Sequence, residues 1–488
     1  MLDQSFSSSN FNTVFLKENR KGNFNKLHLT KEYIDKHAEF KAILQEKKDL
    51  GGGITKEQLD SYALLLDKIN KQKEEIRLNT FQTFSEKILK PNFKFEIDYN
   101  PHKKVFTSDK DAASFYAIKQ LQYNLNQIYN VVQSDRSKII KQLYYILSDG
   151  FPKVVIKTDI KAFYESIPQD KLFNKMESNT LLSPLSKKLI KKLFYEFESK
   201  KDAATIAEKK GVPRGIGLSA YLSELYMRDI DNEIKSIEDL VYYSRYVDDI
   251  IMVFIPKTAS TGGDYLKSVR KIICEKNGLT LKDGSDGEES KTHVYDFLTN
   301  TYSYEISYLG YQFKISRSLT PEKEVIFKSI LEISQNKLKK YRDRLDATIS
   351  AYNLDSKYNE KEARKMLFSR LKFLTGNFHL NNIKKNVKSG IYYSNAMLSL
   401  NNSRFESLDK LDKELLNACK NIDPPSKIGI NKTKLFLHLK AKFSFKKGFN
   451  EKEKYFYSFN FTLAESKYYL KKFRRPVNKF EVIKSIWS

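Results

Sequence analysis

Cysteine is nearly absent from this sequence: there are two, Cys274 and Cys419, far apart and without CxxC spacing. That excludes a disulfide framework or a cysteine-built zinc site and fits a reducing compartment. No stretch approaches the roughly 18 consecutive apolar residues of a membrane span. The start, Met1-Leu2-Asp3-Gln4, lacks a basic segment leading into an apolar run, so no signal peptide is expected. A soluble, cytoplasmic protein without membrane contact follows as the expectation. The triple glycine Gly51-Gly52-Gly53 has no GK[ST] at P-loop distance and reads as a linker between helices.

What is present is a large basic chain. Hydrophobic residues make up 40% and aromatics 13% of its 488 residues, enough for the cores of two or three domains. Lys and Arg number 86 against 60 Asp and Glu, a net charge of +26. Solubility needs much less, so a field of this size favours a polyanion, with nucleic acid ahead of an acidic membrane surface.

Hydrophobic periodicity divides the chain. Residues 1–30, rich in Ser, Asn and Lys, read as an arm or mobile end. Lys31 to about Leu89 reads as helical, with Leu59, Tyr62, Leu66 and Ile69 at three- and four-residue spacing. Phe93 to Tyr99 reads as a strand, Ala112 to Leu147 as helix, and Val154 to Asp159 as a buried strand ending in a carboxylate. A helical segment from Gln169 to Glu198 precedes the loop Gly211-Val212-Pro213-Arg214-Gly215-Ile216-Gly217 and a helix through Ser219–Asn232. Tyr304 to Ile315 reads as a strand pair around Gly310. From Pro321 strand signals vanish and helical stretches follow to about Lys420. Asp423-Pro424-Pro425 marks a boundary, and the last sixty residues interleave Lys with Phe and Tyr.

The most informative segment is Tyr246-Val247-Asp248-Asp249, between the strand-like Val241–Arg245 and Ile250–Phe254. An acidic pair at a hairpin tip is commonly an ordinary turn. Asp159, also at a strand end, supplies a third carboxylate. This grouping suits nucleotidyl transfer, in which two Mg²⁺ ions clamp the attacking hydroxyl, the α-phosphate and the leaving pyrophosphate. Mg²⁺ is held by few carboxylates plus substrate phosphates, so two or three aspartates suffice.

The order of Asp159, the Gly215 loop with its helix, Tyr246-Val247-Asp248-Asp249, Lys291 and Tyr308-Leu309-Gly310-Tyr311 resembles the palm of a reverse transcriptase, over roughly residues 130–315. The resemblance implies an α+β right-hand polymerase: a helical extension (1–90), fingers and palm (91–318) and an α-helical C-terminal domain in place of a thumb (319–488). It further implies that Asp159, Asp248 and Asp249 are catalytic and hold Mg²⁺, or Mn²⁺ in its place, with the Ile160 carbonyl assisting. Tyr164 falls at the steric gate that selects deoxynucleotides. Arg214, Gly215 and Lys291 would meet the nucleotide, and Tyr308, Leu309 and Gly310 would grip the primer. Basic residues for the triphosphate in the fingers could be Lys103, Lys104, Lys110 or Arg136.

Common reverse transcriptases carry Gln before this glycine, where this chain has Arg214. That departure, with Gly217-Leu218-Ser219-Ala220-Tyr221-Leu222-Ser223-Glu224, resembles the bacterial abortive-infection and defence-associated group. Arg370–Asn377 and Gly390–Asn395 resemble its helical C-terminal region. The group implies dNTP substrates, a DNA product, an RNA partner as template or non-coding RNA, weak templating, homo-oligomers and priming on a protein hydroxyl. Tyr455, Tyr457, Tyr468 and Tyr469 lie among lysines as candidate primers, although such interleaving also serves stacking and phosphate contact. No carboxylate quartet of a retroviral RNase H follows the palm, and the six histidines are too scattered for an intron-type endonuclease. The alternatives are a retroelement enzyme (retron or group II intron-like) and a nucleic-acid-binding scaffold with a relic palm. Three unpaired carboxylates are costly to keep for structure alone, which weighs against the relic.

Overall fold

The computed structural model describes residues 2–20, 28–51, 54–108, 110–131, 134–201, 208–257, 262–284, 287, 289–298, 303–321, 325–380, 387–401, 405–425 and 431–487. Gly52 and Gly53 of the expected linker lie outside them. The chain forms two compact units, each assembled from separate stretches: residues 1–134 with 152–298, and residues 135–151 with 299–488.

In the first unit the N-terminal segment is a packed helix, not an arm. Ser8–Arg20 buries Phe11, Val14 and Phe15; the Phe11 ring meets Phe81 and Tyr116, and the Phe15 ring meets Phe81. The three- and four-residue spacing is present but sits within Ser and Asn, which hid it. The helices Lys31–Asp49 and Lys56–Leu89 follow, started by Thr30 and Thr55 side chains that accept backbone N–H bonds. The expected strand at Phe93–Tyr99 shortens to β1 (Asp98–Asn100), paired with β2 (Val105–Thr107). Phe93, Phe95 and Ile97 alternate into the core without pairing. The expected long helix is two, Ala112–Tyr129 and Arg136–Ser148, the first ended by Asn130 in the left-handed region.

Four antiparallel strands form the sheet that matters most: β3 (Val154–Asp159), β4 (Leu240–Tyr246), β5 (Asp249–Phe254) and β6 (His293–Asp296), in the order β4-β5-β3-β6. The central strands are buried along nearly their whole length, as their unbroken Val, Ile and Met runs require. Alternation sends Val154, Ile156, Ile250, Met252 and Phe254 into the main core. It therefore turns Lys157, Asp159 and Asp249 to the opposite face. The helix Gly217–Lys235 buries Leu218, Leu222, Leu225 and Met227 in the same core. Sequence periodicity gave no sign of β6.

In the second unit, strand structure does not end at Pro321. β7 (Ser303–Tyr308), β8 (Tyr311–Leu319) and β9 (Val325–Ile333) make an antiparallel sheet, β8 and β9 pairing over nine positions. β9 escaped the sequence reading because two of its buried positions are polar, Ser329 and Glu332. Glu332 accepts hydrogen bonds from the Ser407 backbone and hydroxyl. The long helix Gln335–Thr375 bends at Asn359, whose backbone leaves the helical region. A small sheet then joins β10 (Asn377–His379), β11 (Lys388–Gly390) and β12 (Phe456–Tyr457). This pairing brings together the two stretches Arg370–Asn377 and Gly390–Asn395. Asn377 lies opposite Gly390, and its carboxamide oxygen accepts from the Tyr392 N–H at 3.0 Å.

The turn between β7 and β8 has positive φ at both central residues, Leu309 and Gly310, the sign pattern of a type I′ hairpin. Arg136 holds it, donating from Nε (2.9 Å) and Nη2 (2.5 Å) to the Leu309 carbonyl and stacking on Tyr311. Lys337 donates to the Ser394 carbonyl and Asn395 Oδ1 close by. Burial, then the charge of Arg136, pushes the Lys337 ammonium down to about 7.

A lysine whose folded value lies below its unfolded one binds fewer protons in the fold, so stability rises with pH between the two values. Unfolding of the chain should therefore show a stability gain from about pH 7 towards pH 10, and Lys337→Met should flatten that slope. Arg136→Ala should lower stability by about 1.5–3 kcal/mol by stranding a charge-assisted carbonyl. Denaturant titrations across that pH range measure both effects.

Candidate active site

Asp159 ends β3 and Asp249 begins β5, and the two are direct cross-strand partners. Opposed residues on antiparallel strands share a face with Cβ atoms about 4.5–5.5 Å apart, so their carboxylates crowd each other. Asp248 occupies the two-residue turn between β4 and β5, and its carbonyl accepts from the Ile160 N–H at 3.2 Å. Ile160 is thus tied by its backbone to the acidic turn.

The turn is strained. Val247 has φ +63 while Asp248 keeps negative φ, the sign pattern of a type II′ turn that ordinarily takes glycine. A β-branched residue there costs on the order of 1–3 kcal/mol. Arg245 offsets it: Nη1 donates to the Val247 carbonyl at 2.9 Å. The same guanidinium is gripped by Glu224 and Asp231, at 2.7 and 2.8 Å, and Tyr243 donates to Asp231. Burial opposes the Arg245 charge, but these carboxylates more than restore it. The sequence reading did not single out Arg245. Its signal was an arginine inside a strand with two acids on one face of the preceding helix, Glu224 and Asp231 being seven residues apart.

Electrostatics mark the acidic cluster. Burial, then Asp248 and Asp159, pushes the Asp249 carboxyl up to about 6. Burial, then Asp159, raises Asp248. Lys291 Nζ lies 2.8 Å from Asp159 Oδ2, and this hydrogen bond raises the lysine. The lysine reaches the site because its N–H bonds the Lys282 carbonyl, while the Lys282 N–H bonds the Asp159 carbonyl. Lys157, on the same sheet face, is lowered by burial. Among the described residues no three acidic, imidazole or thiol side chains converge as a ready-made ligand cage. The donor set nevertheless fits Mg²⁺: hard carboxylate oxygens in like-charge conflict, too few to complete a shell without substrate phosphates. Asp159, Asp248 and Asp249 are the residues that could hold it.

Tyr164 lies half-buried in the helical turn Phe163–Ser166, its carbonyl accepting from the Val212 N–H. Burial, then the charges of Glu224 and Asp248, raises its hydroxyl. Gly215 has φ +98, and a Cβ there would meet the Phe106 carbonyl at 2.5 Å and Val105 at 2.7 Å. Glycine is required because the loop packs directly on β2, where the Phe106 N–H also bonds the Arg214 carbonyl at 2.7 Å. That contact ties the β1–β2 turn, bearing exposed Lys103 and Lys104, to the glycine loop. Arg214 is exposed and pairs with Glu165 at 3.4 Å, and Lys110 pairs with Asp98. The Arg136 guanidinium belongs to the second unit and serves the Leu309 turn there, where Tyr308, Leu309 and Gly310 also lie. Of the candidate primer tyrosines, Tyr455 and Tyr469 are core side chains, and burial pushes Tyr457 up to about 12.

Residues 110–313 match a family model described as reverse transcriptase (RNA-dependent DNA polymerase). No curated protein matches the chain in sequence. Among solved structures, apo telomerase from Candida tropicalis truncated from the C-terminal domain aligns at 20% identity and a TM-score of 0.28, over 45% of this chain and 47% of that one. Telomerase from Candida albicans in complex with a TWJ fragment of telomeric RNA aligns at 14% identity and 0.33, over 66% and 58%. The chain thus spans about half to three fifths of the length of these chains. No helix among the described residues is long and apolar enough to cross a membrane.

If the acidic cluster is in like-charge conflict, neutralising one member relieves it. Asp249→Asn should stabilise the chelator-treated protein by on the order of 1 kcal/mol, allowing for partial solvent screening. The gain should shrink when Mg²⁺ is added, since the wild-type cluster then has its counter-charge. Paired melting curves with and without Mg²⁺ check both signs.

Proposed function

We propose that this chain, built on its reverse transcriptase domain, is a Mg²⁺-dependent DNA polymerase of the defence-associated type, joining dNTPs into DNA in anti-phage defence. The observation that carries the chemistry is the direct opposition of Asp159 and Asp249 across β3 and β5, with Asp248 in the braced turn beside them. Two bound Mg²⁺ ions would supply charge neutralisation for the attacking and leaving oxygens. Asp159 and Asp248 would hold them, and Asp249 would complete the negative field.

The remaining residues position and select. Tyr164 offers a ring that would lie under the sugar and clash with a 2′-hydroxyl. Lys291, whose ammonium already serves as counter-ion to Asp159, would meet the triphosphate. The bare Gly215 backbone would let the nucleotide approach, and Lys103 and Lys104 are carried towards the same loop by the β1–β2 contact. Tyr308, Leu309 and Gly310 would serve the primer end from their Arg136-held turn.

Arg214 favours the defence-associated reading over a retroelement enzyme, because it puts an exposed cation where ordinary template-handling enzymes carry Gln. The net charge of +26 supports an RNA partner, as template or non-coding RNA. Cytoplasmic location and homo-oligomer formation belong to the same reading. In it, residues 1–90 extend the fingers and palm of 91–318, and 319–488 replace a thumb.

Replacing both turn aspartates tests it: Asp248→Ala with Asp249→Ala should abolish labelled-dNTP incorporation into acid-insoluble product while leaving the melting temperature unchanged or higher. Incorporation that persists in this variant removes the metal assignment. Tyr164→Ala should raise ribonucleotide use relative to deoxynucleotide by at least about tenfold, the scale expected when a steric contact is deleted from one substrate alone. Competition between dNTP and rNTP in the product measures that ratio.

A further inference from the structure

The second unit holds a cavity of about 370 Å³, within the size range of small-ligand sites. Its walls include Tyr341, Arg344, Phe373, Phe378, Lys484 and Trp487. Phe373 and Phe378 stack at 4.5 Å, and Trp487 stands 5.5 Å from Phe373, tilted by 43°. The Arg344 guanidinium lies 5.6 Å from the Trp487 ring, and Lys484 Nζ lies 5.5 Å from that of Phe373. Among the described residues neither cation forms an ion pair. The structure thus places flat aromatic surface and two uncompensated positive charges around one space.

We propose that this cavity binds a nucleotide, its base against the Phe373–Trp487 surface and its phosphate between Arg344 and Lys484. Base–aromatic stacking tolerates any base, because each has a π-face, and arginine adds both cation–π and phosphate contact. A purely structural aromatic core would account for the ring contacts. It does not account for the open space those rings border, with a guanidinium and an ammonium both set at its rim. Phe373 and Leu374, with Gly390, Ile391 and Ser394, line the cavity, so both C-terminal stretches singled out in the sequence converge on it. The palm chemistry uses neither. The ligand could be a free nucleotide or an unpaired nucleotide of a strand. The inference stands whether or not the palm synthesises DNA.

The chain carries a single tryptophan, which lines this cavity and reports on it. The experiment titrates full-length Asp248→Ala/Asp249→Ala protein, without divalent metal, with three probes: a deoxynucleoside, its 5′-monophosphate, and short single-stranded DNA or RNA. Tryptophan fluorescence is followed throughout. Saturable quenching by the monophosphate and by the strand, with the nucleoside much weaker, is expected. Quenching by the strand alone assigns the site to nucleic acid, by the monophosphate alone to free nucleotide, and by both to the nucleotide unit the two share. Arg344→Gln with Lys484→Gln, verified as folded by its melting curve, should weaken affinity roughly tenfold or more. Absence of saturable quenching by every probe, or unchanged affinity in that variant, overturns the proposal. Either result leaves the polymerase reading to its own incorporation assay.

Discussion

Like-charge crowding at one edge of a sheet is the constraint around which this molecule is arranged. Asp159 and Asp249 are locked opposite each other by the β3–β5 register, so neither can retreat without breaking the ladder. Asp248 adds a third charge from a turn whose backbone is itself unfavourable at Val247. Such a cluster persists only when the surroundings over-determine it. Here they do so twice: Arg245 clamps the turn from one side, and Lys291 neutralises Asp159 from the other. The strain and the repulsion together leave the site disposed towards a cation.

The brace at Arg245 is a supporting one: Glu224, Asp231 and the Val247 carbonyl consume the donors of its guanidinium. Removing it would strand two carboxylates against the core, which for a buried pair costs about 3–5 kcal/mol. The helix Gly217–Lys235 thereby becomes part of the support of the acidic turn: its face carries Glu224 and Asp231, and its start follows the Gly215 loop that packs on β2. Glycine loop, helix and acidic turn form one connected chain of contacts.

The acidic cluster was legible in the sequence because strand alternation and residue chemistry agree there: apolar, β-branched flanks and carboxylates at their ends. Lys291 was legible only by resemblance, since its approach to Asp159 depends on backbone bonds to Lys282 that no spacing encodes. The N-terminal helix was misread because its apolar residues are diluted by Ser and Asn, which favour turns unless a core such as Phe81 and Tyr116 captures the aromatic face. β9 was hidden for a related reason. Its buried Ser329 and Glu332 break the alternation, and Glu332 is tolerated only because Ser407, far along the chain, satisfies it. Arg136 looked like a fingers residue by position, yet its partner lies 173 residues away.

That last separation bears on how the chain is made. The helix Arg136–Ser148 leaves the ribosome long before its partners in the Leu309 turn, β8 and β9, although the segments on both sides of it fold into the other unit. At ordinary synthesis rates its apolar face, Ile139, Ile140, Leu143 and Leu147, waits on the order of ten to thirty seconds for a surface to cover it. Vectorial synthesis thus exposes a sticky amphipathic segment between two halves of a maturing domain. For this chain, the interval between Ser148 and β9 is the window in which chaperone capture competes with aggregation.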